Sequence, residues 1–295
     1  MDTLESLRRK IGSAAELESV VKTMKAMAAG NISQYEMATT SLNDYFHNVE
    51  SGMAAYLMQQ NTQTLKEESK HKKQKSICAI VFGSDQGLVG QFNDVLSNFA
   101  IESLKKMDGK KVIWSVGERV QERLSDSEFK TEKPFSVPNS VSAITPLVGQ
   151  LLISIEAAQE KDNINEFYIF YNFPKTGAGY EPFSQRLLPF DTSWRDDLNK
   201  RKWPTKKLPQ VIGDLNSTFA ALIREYLFVS IYKASAESLA SENASRLEAM
   251  QRAEKNINEL LDELNNKYHR LRQSSIDEEL FDVVSGFEAL RDAEK

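Results

Sequence analysis

Four features of this 295-residue chain hold residue types that could do chemistry. The first is GSDQGLVG, from Gly83 to Gly90, between a β-branched run and a helix-like run. A glycine-rich turn placed there can cradle a phosphate, because backbone N–H groups and the helix dipole converge on one point. The spacing, however, is G-x-x-x-G-x-x-G, which matches neither the dinucleotide fingerprint nor the P-loop, and the P-loop lysine is missing. An autonomous nucleotide site is therefore not expected. The second is Cys78, the one cysteine, inside SICAIVFG. No charged residue beside it would lower its pKa, so it reads as a small core residue, and a lone cysteine excludes an internal disulfide. The third is the acidic run Asp277, Glu278, Glu279, more simply a solvated helix face than an acid–base pair. The fourth is the histidines, His47, His71 and His269, which stand apart without metal-ligand spacing. No catalytic residue, cofactor or metal is expected.

Composition narrows the partners. A formal net charge of −5 speaks against nucleic acid. The opening MDTLESLRRK has no apolar run, and no run of eighteen apolar residues occurs, so neither a signal peptide nor a membrane span is expected. The expectation is a soluble, cytoplasmic chain that meets a membrane only through partners.

The elements that must position these residues follow from proline and periodicity. All eight prolines lie between Pro134 and Pro209, so both ends are free to form long helices. From the N-terminus, apolar residues recur in steps of three and four, from Leu4 through Ala14, Ala28, Tyr35 and Val49 to Tyr56, interrupted by Glu18, Lys25 and Thr39. A seam of that period is a coiled-coil signature and predicts a helix from Thr3 to Gln59. NTQTLKEESKHKKQK then loses the pattern and reads as a solvated, lysine-rich linker, with phosphate or lipid binding as the other reading. SICAIVFG, KKVIWSV and EFYIFYNF read as strands, FNDVLSNFAIESLKKM and SAITPLVGQLLISIEAAQEK as helices between them, and LPFDTSWRDDLNKRKWPTKKLP as a polar connection. That alternation predicts a parallel sheet with crossover helices. From near Gly213 a second seam runs through Phe219, Tyr226, Ala240, Met250, Leu261, Leu264 and Leu271, interrupted by Lys233, Asn243 and Glu254. Beyond it the register slips to Ile276, Leu280, Val283, Phe287 and Leu290.

At about 1.5 Å per residue the first helix is roughly 80 Å long and the last roughly 115 Å, too long to wrap a small domain some 30 Å across. The two must pack on each other, antiparallel, since one enters and the other leaves the same domain. Aligning their bases places residue 56 near 214, 24 near 246 and 4 near 266. The last helix then outruns its partner, and its tip is expected to project as a single helix whose apolar stripe enters a cavity in another protein. The expected fold is α/β: an antiparallel coiled coil of N- and C-terminal helices with a central Rossmann-like domain. Its parts are residues 1–60, 76–208 and 210–292. A homodimeric coiled-coil adaptor, with the seams pairing between chains, is the alternative.

The residues carry a resemblance. SLASENASRLEAMQRAEKN and YHRLRQSSIDEELFDVVSG resemble the C-terminal block of the gamma subunit, or central stalk, of F-type rotary ATP synthases. SVVKTMKAMAAGN resembles that family's N-terminal KITKAMKMVAAAK, and SDQGLVGQFN its middle SDRGLCGGFN. The departures are Ser19, Asn31, Gln86, Val89, His269 and Asp277. The opening is similar to the alternate, sodium-type gamma subunits of some bacteria and archaea. The resemblance implies a non-catalytic rotor shaft that couples proton or sodium flow to ATP synthesis or hydrolysis. It implies as partners the alpha and beta subunits, the epsilon subunit and the c-ring, at the cytoplasmic face of the cell membrane. Residue by residue, it implies that Arg272, Gln273, Asp277 and Glu279 contact beta subunits at the tip. Met24 and Arg246, with Lys22 and Lys25 beside them, would face an acidic surface of the beta subunits lower down.

Overall fold

The absence of proline from both ends has its consequence in two uninterrupted helices, α1 (Leu4–Gln59) and α5 (Leu215–Ala293). The computed structural model describes residues 3–59, 75–175, 179–190, 198, 207 and 212–293. The lysine-rich linker, but for Lys75, and most of the polar connection before α5 lie outside the described residues. Between the long helices stand β1 (Ser76–Phe82), α2 (Phe92–Lys105), β2 (Lys110–Val116), α3 (Glu118–Ser125), β3 (Lys130–Phe135), α4 (Val141–Lys161), β4 (Glu166–Pro174) and β5 (Tyr180–Leu188).

The five strands form one sheet in the order β3-β2-β1-β4-β5. The first four are parallel, and β5 pairs antiparallel with β4. Strands β1, β2 and β4 were legible because a parallel strand covered on both faces reads as a nearly continuous apolar run. The expected all-parallel, three-strand sheet is corrected by its two edges. KTEKPF and YEPFSQRLL carry charge and proline, which edge strands tolerate and which hides them from a hydrophobic reading. Helix α3, ERVQERLS, also went unread: only Val120 and Leu124 are buried in it.

The chain divides into two units, residues 28–246 and residues 1–27 with 247–295. In the larger unit β1 alternates across the sheet. Cys78, Ile80 and Phe82 join α4, Tyr35 of α1 and the Leu227–Ala240 part of α5 on one face. Ile77, Ala79 and Val81 meet α2 and α3 on the other. Cys78 is fully buried, as expected of a small core residue. Helix α4, although it holds no run of eighteen apolar residues, is by length and mean composition alone apolar enough to cross a membrane. Its buried residues, Ile144 through Ala158, supply the apolar face that lies on the sheet, which accounts for that composition.

The seams pair within the chain. In the larger unit Tyr56 stacks on Phe219 at 3.9 Å, Phe46 packs on Tyr226 and Asn31 donates to Asn243 at 3.4 Å. In the smaller unit Leu7, Ala14 and Leu264 are buried together, with Ile11, Leu261, Tyr268 and Leu271 against them. The helices are antiparallel in each unit. Residue 56 meets 219 rather than 214, and Lys25 meets Glu254, so the base-aligned register is corrected by a turn or more toward the C-terminus of α5. Ring size decides this: Tyr56 and Phe219 are the residues that stack. With both seams buried inside one chain, the homodimeric adaptor loses the surface it needs.

Candidate functional site

The central loop shows what this fold does not do. In an open α/β sheet a ligand is taken where the strand order reverses, here between β1 and β4, beyond their C-terminal ends. That crevice is filled by the chain itself. The Ser84 backbone N–H donates to Asn93 Oδ1 at 3.1 Å, and Asn93 Nδ2 donates to Ser84 Oγ at 2.8 Å. Asn172 of β4 donates to the Phe92 carbonyl at 3.0 Å. Asp85 accepts from the Glu118 and Val137 backbone N–H groups, both at 2.9 Å. Helix α5 closes the crevice from outside: Ser238 Oγ donates to the Phe82 carbonyl at 3.0 Å, and Ser245 Oγ to that of Val89 at 2.6 Å. Gly83 is required because a Cβ there would lie 2.3 Å from that of Val120. The motif thus clamps the domain onto α5, and the run ASAESLASENAS supplies small side chains that let that helix come close. The adjoining hollow holds Arg119 and Arg123, which pair with Glu122 at 3.1 Å and Asp94 at 3.0 Å.

The polar interruptions of the seams find partners. Lys25 Nζ lies 2.5 Å from Glu254 Oε2, with the side chains 35 % and 19 % exposed. Lys22 is paired at 2.6 Å with Glu18, whose hydrogen bond and charge raise the lysine's pKa. Met24 is half-buried. Arg246 donates to Glu242 at 2.6 Å, and the two side chains are 11 % and 7 % exposed. Burial raises the pKa of Glu242; Arg246 opposes that shift and the charge of Asp85 adds to it. Lys22, Met24 and Lys25 therefore share one unit with the tip residues, whereas Arg246 belongs to the other.

Arg272, Gln273, Asp277 and Glu279 are all exposed on α5, past the last seam residue, Leu271. At about 100° per residue, Ile276, Leu280 and Val283 form a stripe turned by roughly a third of a revolution from the seam. On the same wheel Arg272 and Glu279 flank one edge of the stripe, and Gln273 and Asp277 the other. Gln273 Nε2 donates to Asp277 Oδ1 at 3.4 Å. Leu264 in the seam is 8 % exposed, against 47 % for Ile276, 61 % for Leu280 and 70 % for Val283. Among the described residues nothing covers the stripe. Phe281 and Val284, at 72 % and 46 % exposed, widen it and escaped the sequence reading because they stand off its period. Leu17, Val20 and Met27 on α1, flanking Met24, are exposed apolar residues that were missed for the same reason. Among the described residues, no group of three or more His, Cys, Asp or Glu could hold a metal ion.

Comparison with known proteins agrees with this arrangement. The chain is similar over nearly its whole length to the ATP synthase gamma chain of Lachnoclostridium phytofermentans, 26 % identical over 98 % of this chain and 100 % of the relative. It is likewise similar to that of Clostridium pasteurianum, 28 % identical over 97 % and 98 %. In fold it is similar to a chain in the Euglena gracilis mitochondrial ATP synthase rotor, with a TM-score of 0.63 at 16 % identity over 92 % of this chain and 98 % of that one. A chain in the OSCP/F1/c-ring structure from the same organism gives 0.65 at 18 % identity over 99 % and 96 %. A sequence model of the ATP synthase family matches residues 3–290, and the chain belongs to that family, as a homologue of its gamma chains.

Proposed function

We infer that the chain is the non-catalytic central shaft of a rotary ATP synthase, and that it carries torque between an ion-driven ring and a catalytic hexamer. The observation that carries this reading is the bare apolar stripe of Ile276, Leu280 and Val283 beyond a helix seam that is otherwise covered. A single helix keeps such a stripe in water only at a cost, and a surrounding socket removes that cost. The central loop supports it too, since a domain clamped onto α5 by Ser238 and Ser245 can transmit force to that helix.

In this reading residues 1–60 and 210–292 form the shaft, with a projecting single-helix tip, and residues 76–208 form the domain at its base. Arg272, Gln273, Asp277 and Glu279 contact beta subunits within a hexamer of alpha and beta. Met24 and Lys22 meet a lower, acidic surface of the beta subunits. Lys22 can exchange Glu18, a neighbour on its own helix, for an outside carboxylate at little cost. For Lys25 and Arg246 to do so, their pairs with Glu254 and Glu242 must open. The base of the shaft sits with an epsilon subunit on a c-ring, at the cytoplasmic face of the cell membrane, and it reaches the bilayer only through that ring.

A rotation assay tests the proposal. With the hexamer fixed to a surface and a bead attached through Ser136→Cys in the α/β domain, ATP should drive stepwise rotation in one direction. Full ATP turnover with a stationary bead, in complexes shown to contain the chain, would refute it.

A further inference from the structure

The tip of α5 has two chemically distinct sides. At about 100° per residue, the exposed apolar residues Val283, Ile276, Leu280, Val284 and Phe281 span an arc of roughly 160°. Glu278, Asp282 and Glu279, all exposed, occupy roughly 100° of the remainder, and Asp277 stands between Val284 and Phe281. The charge is of one sign. Residues 273–290 hold five acidic side chains and no basic one, whereas residues 264–272 just before them hold Lys267, Arg270 and Arg272 and no acid. The helix itself gives no relief. No lysine or arginine stands three or four residues from Asp277, Glu278, Glu279 or Asp282, and Glu278 and Asp282 oppose each other as like charges at i and i+4. Gln273 reaches Asp277 but brings no charge.

These charges constrain what can enclose the tip. Carboxylates taken out of water with no cation beside them are strongly disfavoured. A socket lined by apolar groups alone would therefore accept one side of the helix and reject the other. An anionic bilayer is no better an occupant, since helices that lie on one carry Lys and Arg on their polar side. Resting on the shaft reading, we propose that the socket has two kinds of wall. It is apolar where it meets Ile276, Leu280 and Val283, and it presents lysine or arginine side chains of the enclosing subunits where it meets Glu278 and Asp282. Those two residues are then partner contacts in their own right, on the side of the tip away from the apolar stripe.

The test reads affinity against salt. The full chain, labelled, is titrated with the alpha–beta hexamer at about 0.05 M and about 0.5 M salt, across which the Debye length shrinks about threefold. Glu278→Gln with Asp282→Asn should bind about three- to tenfold more weakly than the unaltered chain at the lower salt, and the difference should close at the higher. Glu278→Lys with Asp282→Lys should bind more weakly still. Both positions are exposed, and circular dichroism checks that the helix is intact. Equal or tighter binding of the neutralised chain at low salt would overturn the cationic wall, as would a difference that persists undiminished at high salt. Truncation before Arg272, run alongside, tells the two readings apart. If it weakens binding while neutralisation does not, the cationic wall alone fails; if the truncated chain binds normally, the socket itself is lost.

Discussion

Truncation before Arg272 separates folding from docking. The deleted residues include none of the buried seam, which ends with Leu264, Tyr268 and Leu271 packed on Leu7, Ile11 and Ala14. Exposed positions contribute about ±0.5 kcal/mol to stability, so the truncated chain should unfold within roughly 1 kcal/mol of the full one. Docking is another matter. Ile276, Leu280, Phe281, Val283 and Val284 are between 46 % and 72 % exposed. Burying a large apolar side chain completely is worth about 1.5–3 kcal/mol, so covering the exposed part of each gains roughly 1–2 kcal/mol. The five together give a gross gain on the order of 5–9 kcal/mol, reduced by the cost of association. A loss of affinity for the alpha–beta hexamer of about a hundredfold or more is therefore expected, with ATP-driven ion transport falling accordingly. Urea unfolding followed by circular dichroism measures the first quantity, and titration of the hexamer with labelled chain the second. Leu264→Ala is the converse control: it should cost about 2–4 kcal/mol of stability, because it opens a cavity in the seam. If the truncated chain bound and coupled normally, or lost several kcal/mol of stability, the assignment of the tip to a socket would fail.

Other perturbations check the remaining reasoning. Lys25→Ala should destabilise by about 1–3 kcal/mol because it strands the half-buried Glu254, whereas Lys25→Met with Glu254→Leu should recover most of that loss; a full double-mutant cycle in urea measures both. Burial raises the pKa of Glu237, so the folded state binds more protons than the unfolded one as pH rises above 4.5, and stability must fall across that window until the folded group has also ionised. Glu237→Gln should flatten that decline; an unchanged slope of unfolding free energy against pH would contradict it. Leu88 holds a φ of +61° while 63 % exposed, so Leu88→Gly should leave stability unchanged or raise it by up to about 1 kcal/mol, read as a thermal midpoint. Ser245→Ala should cost about 1–2 kcal/mol and loosen the 83–91 loop, seen as faster amide exchange there, because the Val89 carbonyl loses its donor.

The sequence by itself determined the two long helices, the central β/α alternation and the bare stripe at the C-terminal tip. These are local matters. Proline placement and the period of apolar residues act within a few turns of chain, and a one-dimensional pattern records them. Tertiary structure decided what depends on partners far apart in the chain. Glu254 looked like a flaw in a seam until Lys25 met it, and Asn243 likewise until Asn31 did. The edge strands β3 and β5 were hidden because an edge is defined by what is missing beside it, not by its own composition. The pairing of Arg246 with Glu242 likewise appears only in the folded chain, since α5 is covered almost all round where the sheet lies on it. The spacing of GSDQGLVG already spoke against a nucleotide site, but what the turn does instead emerged only once Asn93, Asn172, Ser238 and Ser245 were seen to take up its polar groups. Hydrogen bonds and ion pairs between distant residues leave no period in the sequence; they exist only once the backbone has brought their atoms to within about 3 Å.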